Sequence, residues 1–125
     1  MIVERVKALL SANAMVASMV GDRVFPEVLP QGCDMPAIAY SVVVDEGISS
    51  LDGYSDLDNA VVQVDCYSRS YMEGHHLADA VGSVMTRFIS VDFSSLQVSR
   101  RDLYEDDTEL HRVSIDYSVW ERNAP

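Results

Sequence analysis

Cysteine is almost missing from this chain: Cys33 and Cys66 are the only two. Their separation matches no zinc or redox spacing, which excludes a disulfide framework and a CxxC-type site. Two free thiols in a reduced, cytoplasmic setting are expected. Basic residues are scarce as well: nine Lys and Arg stand against 20 Asp and Glu, a formal charge of −11. That balance excludes the electrostatic footprint of a nucleic-acid binder, whose affinity comes largely from neutralising phosphates. It equally disfavours docking on an anionic membrane. It suits a protein that must not stick to DNA, and it also suits plain solubility. No apolar run approaches the length that spans a bilayer. The apolar face at the N-terminus is interrupted by Glu4, Arg5 and Lys7 and leads to no h-region, so no signal peptide is expected. There is no P-loop, no dinucleotide fingerprint and no zincin helix, and no cofactor is expected.

Proline is sparse but concentrated. Three of the four prolines, Pro26, Pro30 and Pro36, fall in one stretch. It runs Gly21-Asp22-Arg23-Val24-Phe25-Pro26, then Pro30-Gln31-Gly32, then Met35-Pro36-Ala37-Ile38-Ala39-Tyr40. Each proline fixes φ and removes a backbone donor. Residues 21–36 therefore read as an extended arm, neither helix nor central strand, partly ordered before any partner arrives. Such an arm suggests a part of an assembly more than an enzyme.

The 125 residues, 48% of them hydrophobic, are enough for one domain, 1–125, with a usable core. Val3, Val6, Leu9 and Leu10 recur at helical spacing, and residues 2–19 read as a helix. A break at Ser11-Ala12-Asn13, with Asn13 as a new N-cap, divides it, and Gly21 ends its second part. Residues 37–46 predict a strand with Ile38, Tyr40, Val42 and Val44 on one face. Residues 47–58 are rich in turn formers and read as a long hairpin loop. Residues 60–69 predict the next strand, with Val62, Val64, Cys66 and Ser68 facing one way. Residues 71–90 predict the main helix, with Ser70 and Glu73 in a capping-box pattern and Leu77, Ala80, Val81, Val84, Met85 and Phe88 as its apolar stripe. Residues 95–105 and 110–121 form a last hairpin around the turn Glu105-Asp106-Asp107-Thr108-Glu109. The order is α-β-β-α-β-β: an α+β fold with a mostly antiparallel four-stranded sheet and helices packed on one face.

Few residues invite chemistry. His75, His76 and Asp79 on the main helix offer imidazole and carboxylate within one turn, as a small metal-dependent enzyme would need. Adjacent histidines diverge around a helix, however, and no third ligand is assigned, so an exposed helix face is the plainer reading. Asp52 to Asp58 has the acidity of a calcium loop without its ligand alternation or terminal Glu. Cys66 reads as a small core residue, with no base placed beside it by the sequence. Tyr117 and Trp120 on the last strand either cap the core or form part of an interface. The acidic turn is a solvated loop or, in an oligomer, part of a negative ring.

Taken in order, these segments resemble the tail-completion and tail-terminator proteins (gp17-like) of long-tailed bacteriophages and prophages. The matching pieces are Met19 to Pro26, Leu29 to Gly32, Met35 to Tyr40, Leu51-Asp52-Gly53, Val62 to Ser68, Ser70 to Glu73, and Asp106 to Tyr117. They cover almost the whole chain, and they are mostly fold and turn positions, so no catalytic residue is carried over. The resemblance implies a non-enzymatic virion protein, assembled in the bacterial host cytoplasm. It forms a homo-oligomeric ring, commonly a hexamer, at the head-proximal end of the tail tube. There it ends tube growth and meets the head connector or neck, and DNA passes through without specific binding. A different connector component is the nearest alternative. The contact elements expected from this are loops 21–36 and 47–58, with Arg23, Phe25, Pro26, Leu29, Pro30, Gln31, Ile48, Leu51, Tyr54 and Leu57 at the subunit or partner interface. Glu105, Asp106, Asp107 and Glu109 are the expected channel-facing acids.

Overall fold

The computed structural model describes residues 2–45 and 57–122. The chain begins with α1 (Ile2–Ala12) and α2 (Ala14–Val20). Ile2, Val6 and Leu10 bury one stripe of α1. The break between the helices is a capping event: the Asn13 side chain accepts a hydrogen bond from the Val16 N–H at 3.0 Å. Gly21 closes α2 at φ 59°, a region that side-chain-bearing residues avoid.

Six strands follow in one sheet: β1 (Val24–Pro26), β2 (Ala37–Asp45), β3 (Leu57–Ser68), β4 (Arg87–Ile89), β5 (Phe93–Glu105) and β6 (Leu110–Arg122), with α3 (Tyr71–Met85) between β3 and β4. Their spatial order is β1-β2-β3-β6-β5-β4. The class is the expected α+β, but the four-stranded sheet has to be corrected to six. Each added strand is three residues long and sits at an edge. β1 emerges from the proline arm and pairs in parallel with β2, setting Val24 beside Ile38 and Pro26 beside Tyr40. Proline is tolerated there because an edge strand needs hydrogen bonds on one side only. β4 replaces the last turn expected of the main helix. That helix stops at Met85, and Arg87, Phe88 and Ile89 pair with Leu96, Ser95 and Ser94. Phe88 still packs against the core, so the apolar stripe continued while the backbone changed conformation.

The remaining pairs are antiparallel, and the β3–β6 ladder runs the full length of β3, from Leu57 opposite Arg122 to Ser68 opposite His111. The three helices pack on one another, and α1 and α3 also pack on the sheet. Between them and the strands lies the core: Val6, Leu10, Val16, Val20, Ile38, Val62, Val64, Cys66, Leu77, Val81, Met85, Ile115, Tyr117 and Val119 are all buried. The alternation read along β3 therefore holds, and β6 buries Val113, Ile115, Tyr117 and Val119 in the same manner. Along β2 it does not run through, because a register shift between Val42 and Val44 sets Val44 opposite Val61. The loop expected over 47–58 loses its end to β3, which starts at Leu57 and pairs Leu57 and Asp58 with Arg122 and Glu121.

α3 approaches β3 closely. Its N-cap is Ser70, which accepts from the Glu73 N–H at 3.4 Å. Gly74 lies over Ser68, where an added Cβ would fall 2.7 Å from the Ser68 hydroxyl oxygen. At the other end the buried Ser95 donates to the Met85 carbonyl at 2.7 Å, satisfying one orphan acceptor of the helix terminus. Arg5 fastens α1 to the β4–β5 connection and to β6 through a bidentate pair with Asp92 and a 3.2 Å contact to Glu121.

Candidate functional site

The ten residues between β1 and β2, 27–36, make the crossover of a parallel pair without a helix. Arg23 shapes its base: Nε donates to the Pro36 carbonyl at 3.0 Å and a terminal nitrogen to the Met19 carbonyl at 3.2 Å. The arm then faces the end of the sheet where β3 stops and β6 begins. Val28 to Cys33 and Met35 on one side, with Tyr67, Arg69, Glu105, Thr108 and Leu110 on the other, enclose a cleft of about 430 Å³. The structure thus joins two stretches singled out in the sequence, the proline arm and the acidic turn. Leu29 is half-buried, and Pro30, Gln31 and Pro26 are exposed; Phe25 and Arg23 are half-buried on and before β1. Val28, 74% exposed at the rim, carries no sequence signal beyond its position in the arm. Ile48, Leu51 and Tyr54 lie outside the described residues, and Leu57 is placed at the start of β3.

The acidic turn divides. Asp106, Asp107 and Glu109 are exposed, with Glu109 held at φ 56°, whereas Glu105 is half-buried. Glu105 lies 3.6 Å from Arg112 and accepts from Thr108 at 3.3 Å. Arg112 in turn pairs with the buried Asp65, at 3.2 Å through Nε and 3.3 Å through a terminal nitrogen, and stacks over Tyr67 at 5.7 Å. Gln63 completes the Asp65 shell, donating to its carboxylate at 3.1 Å. Burial, then the nearby carboxylates, push the Tyr67 phenol up against the opposing pull of Arg112. Burial works against the charge on Arg112, but its bond to Asp65 and the surrounding negative charge hold its pKa above the ordinary value. Asp65 and Arg112 are a structural pair that neither the alternation pattern nor the spacing disclosed.

A second cleft, about 260 Å³, lies on the helix side between α3 and the β5–β6 hairpin, lined by Tyr71, His75, Asp102, Tyr104 and His111. His75 has both ring nitrogens engaged, Nε2 with Asp102 at 3.0 Å and Nδ1 with Arg100 at 3.2 Å. Arg100 also holds Asp79 at 3.1 Å. The pair His75 and Asp79 is therefore spent on internal bonds, and His76 points to solvent on another face of the helix. Among the described residues no group of three His, Cys, Asp or Glu is arranged for a metal. Cys66 is fully buried, and burial pushes its thiol far up, which suits a core side chain and not a nucleophile. Tyr117 is buried in the core; Trp120, on the opposite face of β6, is 38% exposed and does not cap it. No described helix is long and apolar enough to cross a membrane.

The described residues thus offer two clefts where another surface could dock. The chain belongs to the family described as "Tail completion protein gp17", whose model matches residues 4–122. It is thereby a structural protein of the phage tail. The fold is similar to that of a chain in the structure "Virion of native gene transfer agent (GTA) particle". That likeness has a TM-score of 0.69 at 14% identity and covers 94% of this chain and 92% of the other. Comparison with curated proteins gives no match.

Proposed function

We propose that this chain completes the tail by assembling, as a homo-oligomeric ring, on the head-proximal end of the tail tube. There it stops tube growth and joins the tail to the head connector. The observation that carries this reading is the family match along almost the whole chain. Hexameric symmetry belongs to the reading too. The work is association by shape and local ordering, without turnover. In this account Phe25, Pro26, Leu29, Pro30 and Gln31 supply one contact surface, and Ile48, Leu51, Tyr54 and Leu57 supply another. Arg23 acts by fixing the arm. Asp106, Asp107 and Glu109 face the channel, where like charge lets the duplex pass without sticking; Glu105 sets the shape of their turn.

The test is to add the purified protein to polymerising tail-tube protein and measure tube lengths by electron microscopy. Short, uniform tubes with extra density at one end are expected. Unchanged tubes with no bound protein would refute termination; binding to the head connector alone would instead make the chain a neck component.

A further inference from the structure

The two sheet edges are only partly covered. β1 protects β2 as far as Tyr40, and Ser41 to Asp45 have no outer neighbour among the described residues. β4 protects β5 as far as Leu96, and the Gln97 N–H is taken by the Thr86 carbonyl. From Val98 to Glu105 the outer side of β5 is open among the described residues. That stretch exposes Val98, Leu103 and Tyr104, and the open stretch of β2 exposes Val43. Open apolar edges are templates for strand addition. Neither carries proline or lysine, although the β5 stretch carries Arg100, Arg101, Asp102 and Glu105 and each edge has a register shift.

We infer that the open stretch of β5 pairs, antiparallel, with the open stretch of β2 in a second copy of this chain. This rests on the ring reading above and names the seam between its subunits. Three observations select a second copy as the occupant. The first is direction: β2, β3, β6 and β5 alternate strictly, so β2 of a neighbouring copy set beside β5 continues the alternation. The second is stagger. Ser41 is level with Ser99, through Gln63 and Asp116, and Ala37 is level with Leu103, through Tyr67 and Arg112. The open stretches therefore run in opposite directions from the Ser41 level and meet only if the neighbour shifts by about four ladder positions, roughly 13 Å. Closing a sheet into a barrel requires such an offset. About one residue per strand is the proportion of an eight-stranded barrel of shear eight. The third is charge. The shift sets Leu103 across from Ser41, Asp102 from Val42, Arg101 from Val44 and Arg100 from Asp45. In a chain of net charge −11, the adjacent Arg100 and Arg101 sit on this edge, and the shift brings Asp45 level with Arg100, which also holds Asp79 and His75.

Cysteine pairs test the register. In a Cys33→Ser background, Ser41→Cys is combined with Leu103→Cys, or with Ser99→Cys as the unshifted alternative. Each protein is oxidised alone over a range of concentrations and again with tail tubes, after thermal melting has shown that it folds. The shifted pair is expected to give a ladder of covalent multimers on non-reducing gels, and the unshifted pair is not. Separately, Asp45→Arg, which sets like charge across from Arg100, is expected to weaken self-association about tenfold. An oligomer by native mass spectrometry without the ladder, or a ladder from Ser99→Cys instead, overturns the seam while leaving tube termination standing. Absence of any oligomer, alone or on tubes, overturns both the seam and the ring.

Discussion

Gly74→Ala tests the close approach of α3 to β3. Glycine within a helix costs about 1 kcal/mol relative to alanine, so on an open surface the substitution would stabilise by that amount. Here the new Cβ falls 2.7 Å from the Ser68 hydroxyl oxygen, far inside contact distance. Ser68 is fully buried and its hydroxyl donates to the Ser70 carbonyl at 2.6 Å, so it moves only by breaking that bond or by displacing the helix. Overpacking of this kind costs about 1–3 kcal/mol. The expected net result is a destabilisation of about 1 kcal/mol, or about 4 °C in Tm. The Ser68→Ala background removes the oxygen and leaves a Cβ-to-Cβ contact of 3.7 Å, which is ordinary. In that background Gly74→Ala should change sign and stabilise by up to about 1 kcal/mol. Urea denaturation of the four proteins, with a common m-value, reads the cycle. Destabilisation of equal size in both backgrounds would refute the argument.

Asn13→Ala removes the α2 cap and should cost about 1 kcal/mol by urea denaturation, with Asn13→Asp largely retaining stability. Leu77→Ala, at a fully buried position facing the strands, should cost about 3 kcal/mol and lower Tm without changing far-UV circular dichroism at 20 °C. The bond to the Arg5 guanidinium, ahead of its charge, holds the Asp92 carboxyl below its ordinary value of 3.8. A depressed carboxylate stabilises the fold above that value, and the stability is lost as pH falls through the lower, folded one. Tm of the parent and of Asp92→Asn should therefore differ at pH 6 and converge toward acid, and a constant difference would count against the pairing.

What the sequence made legible were the features set by neighbours along the chain. Asn13 and Ser70 announce caps because their hydroxyl or amide oxygens reach only N–H groups a few residues on. Val62, Val64 and Cys66, like Val113, Ile115 and Tyr117, alternate over enough residues to define a buried face. β1 and β4 escaped because three residues are too few for periodicity to register, and Phe88 prolonged a helical pattern past the end of the helix. For Trp120 the sequence left core capping and an interface both open, and only its ladder position opposite Asn59 shows that it lies on the face without helices. For the site, the arm and the acidic turn were each visible. Their meeting across Tyr67 and Arg69, and the pairing of Asp65 with Arg112, depend on strands far apart in sequence.

The bonding of the arginines has a consequence for how copies of the chain meet. Arg5 is held by Asp92 and Glu121, Arg23 by two carbonyls, Arg100 by Asp79 and His75, and Arg112 by Asp65 and Glu105. Much of the scarce positive charge is thus consumed inside the fold, and the excess of acids is presented outward. In the proposed ring, two subunits approaching through dilute buffer would feel repulsion first and recognise each other only at close range. Salt shortens that repulsion to about 8 Å at physiological strength. In the proposed ring, ionic strength would therefore set how often subunits collide, and the inferred edge contact how long they stay. On the proposed ring reading, a protein built this way would stay dispersed until a surface already in place held its copies side by side.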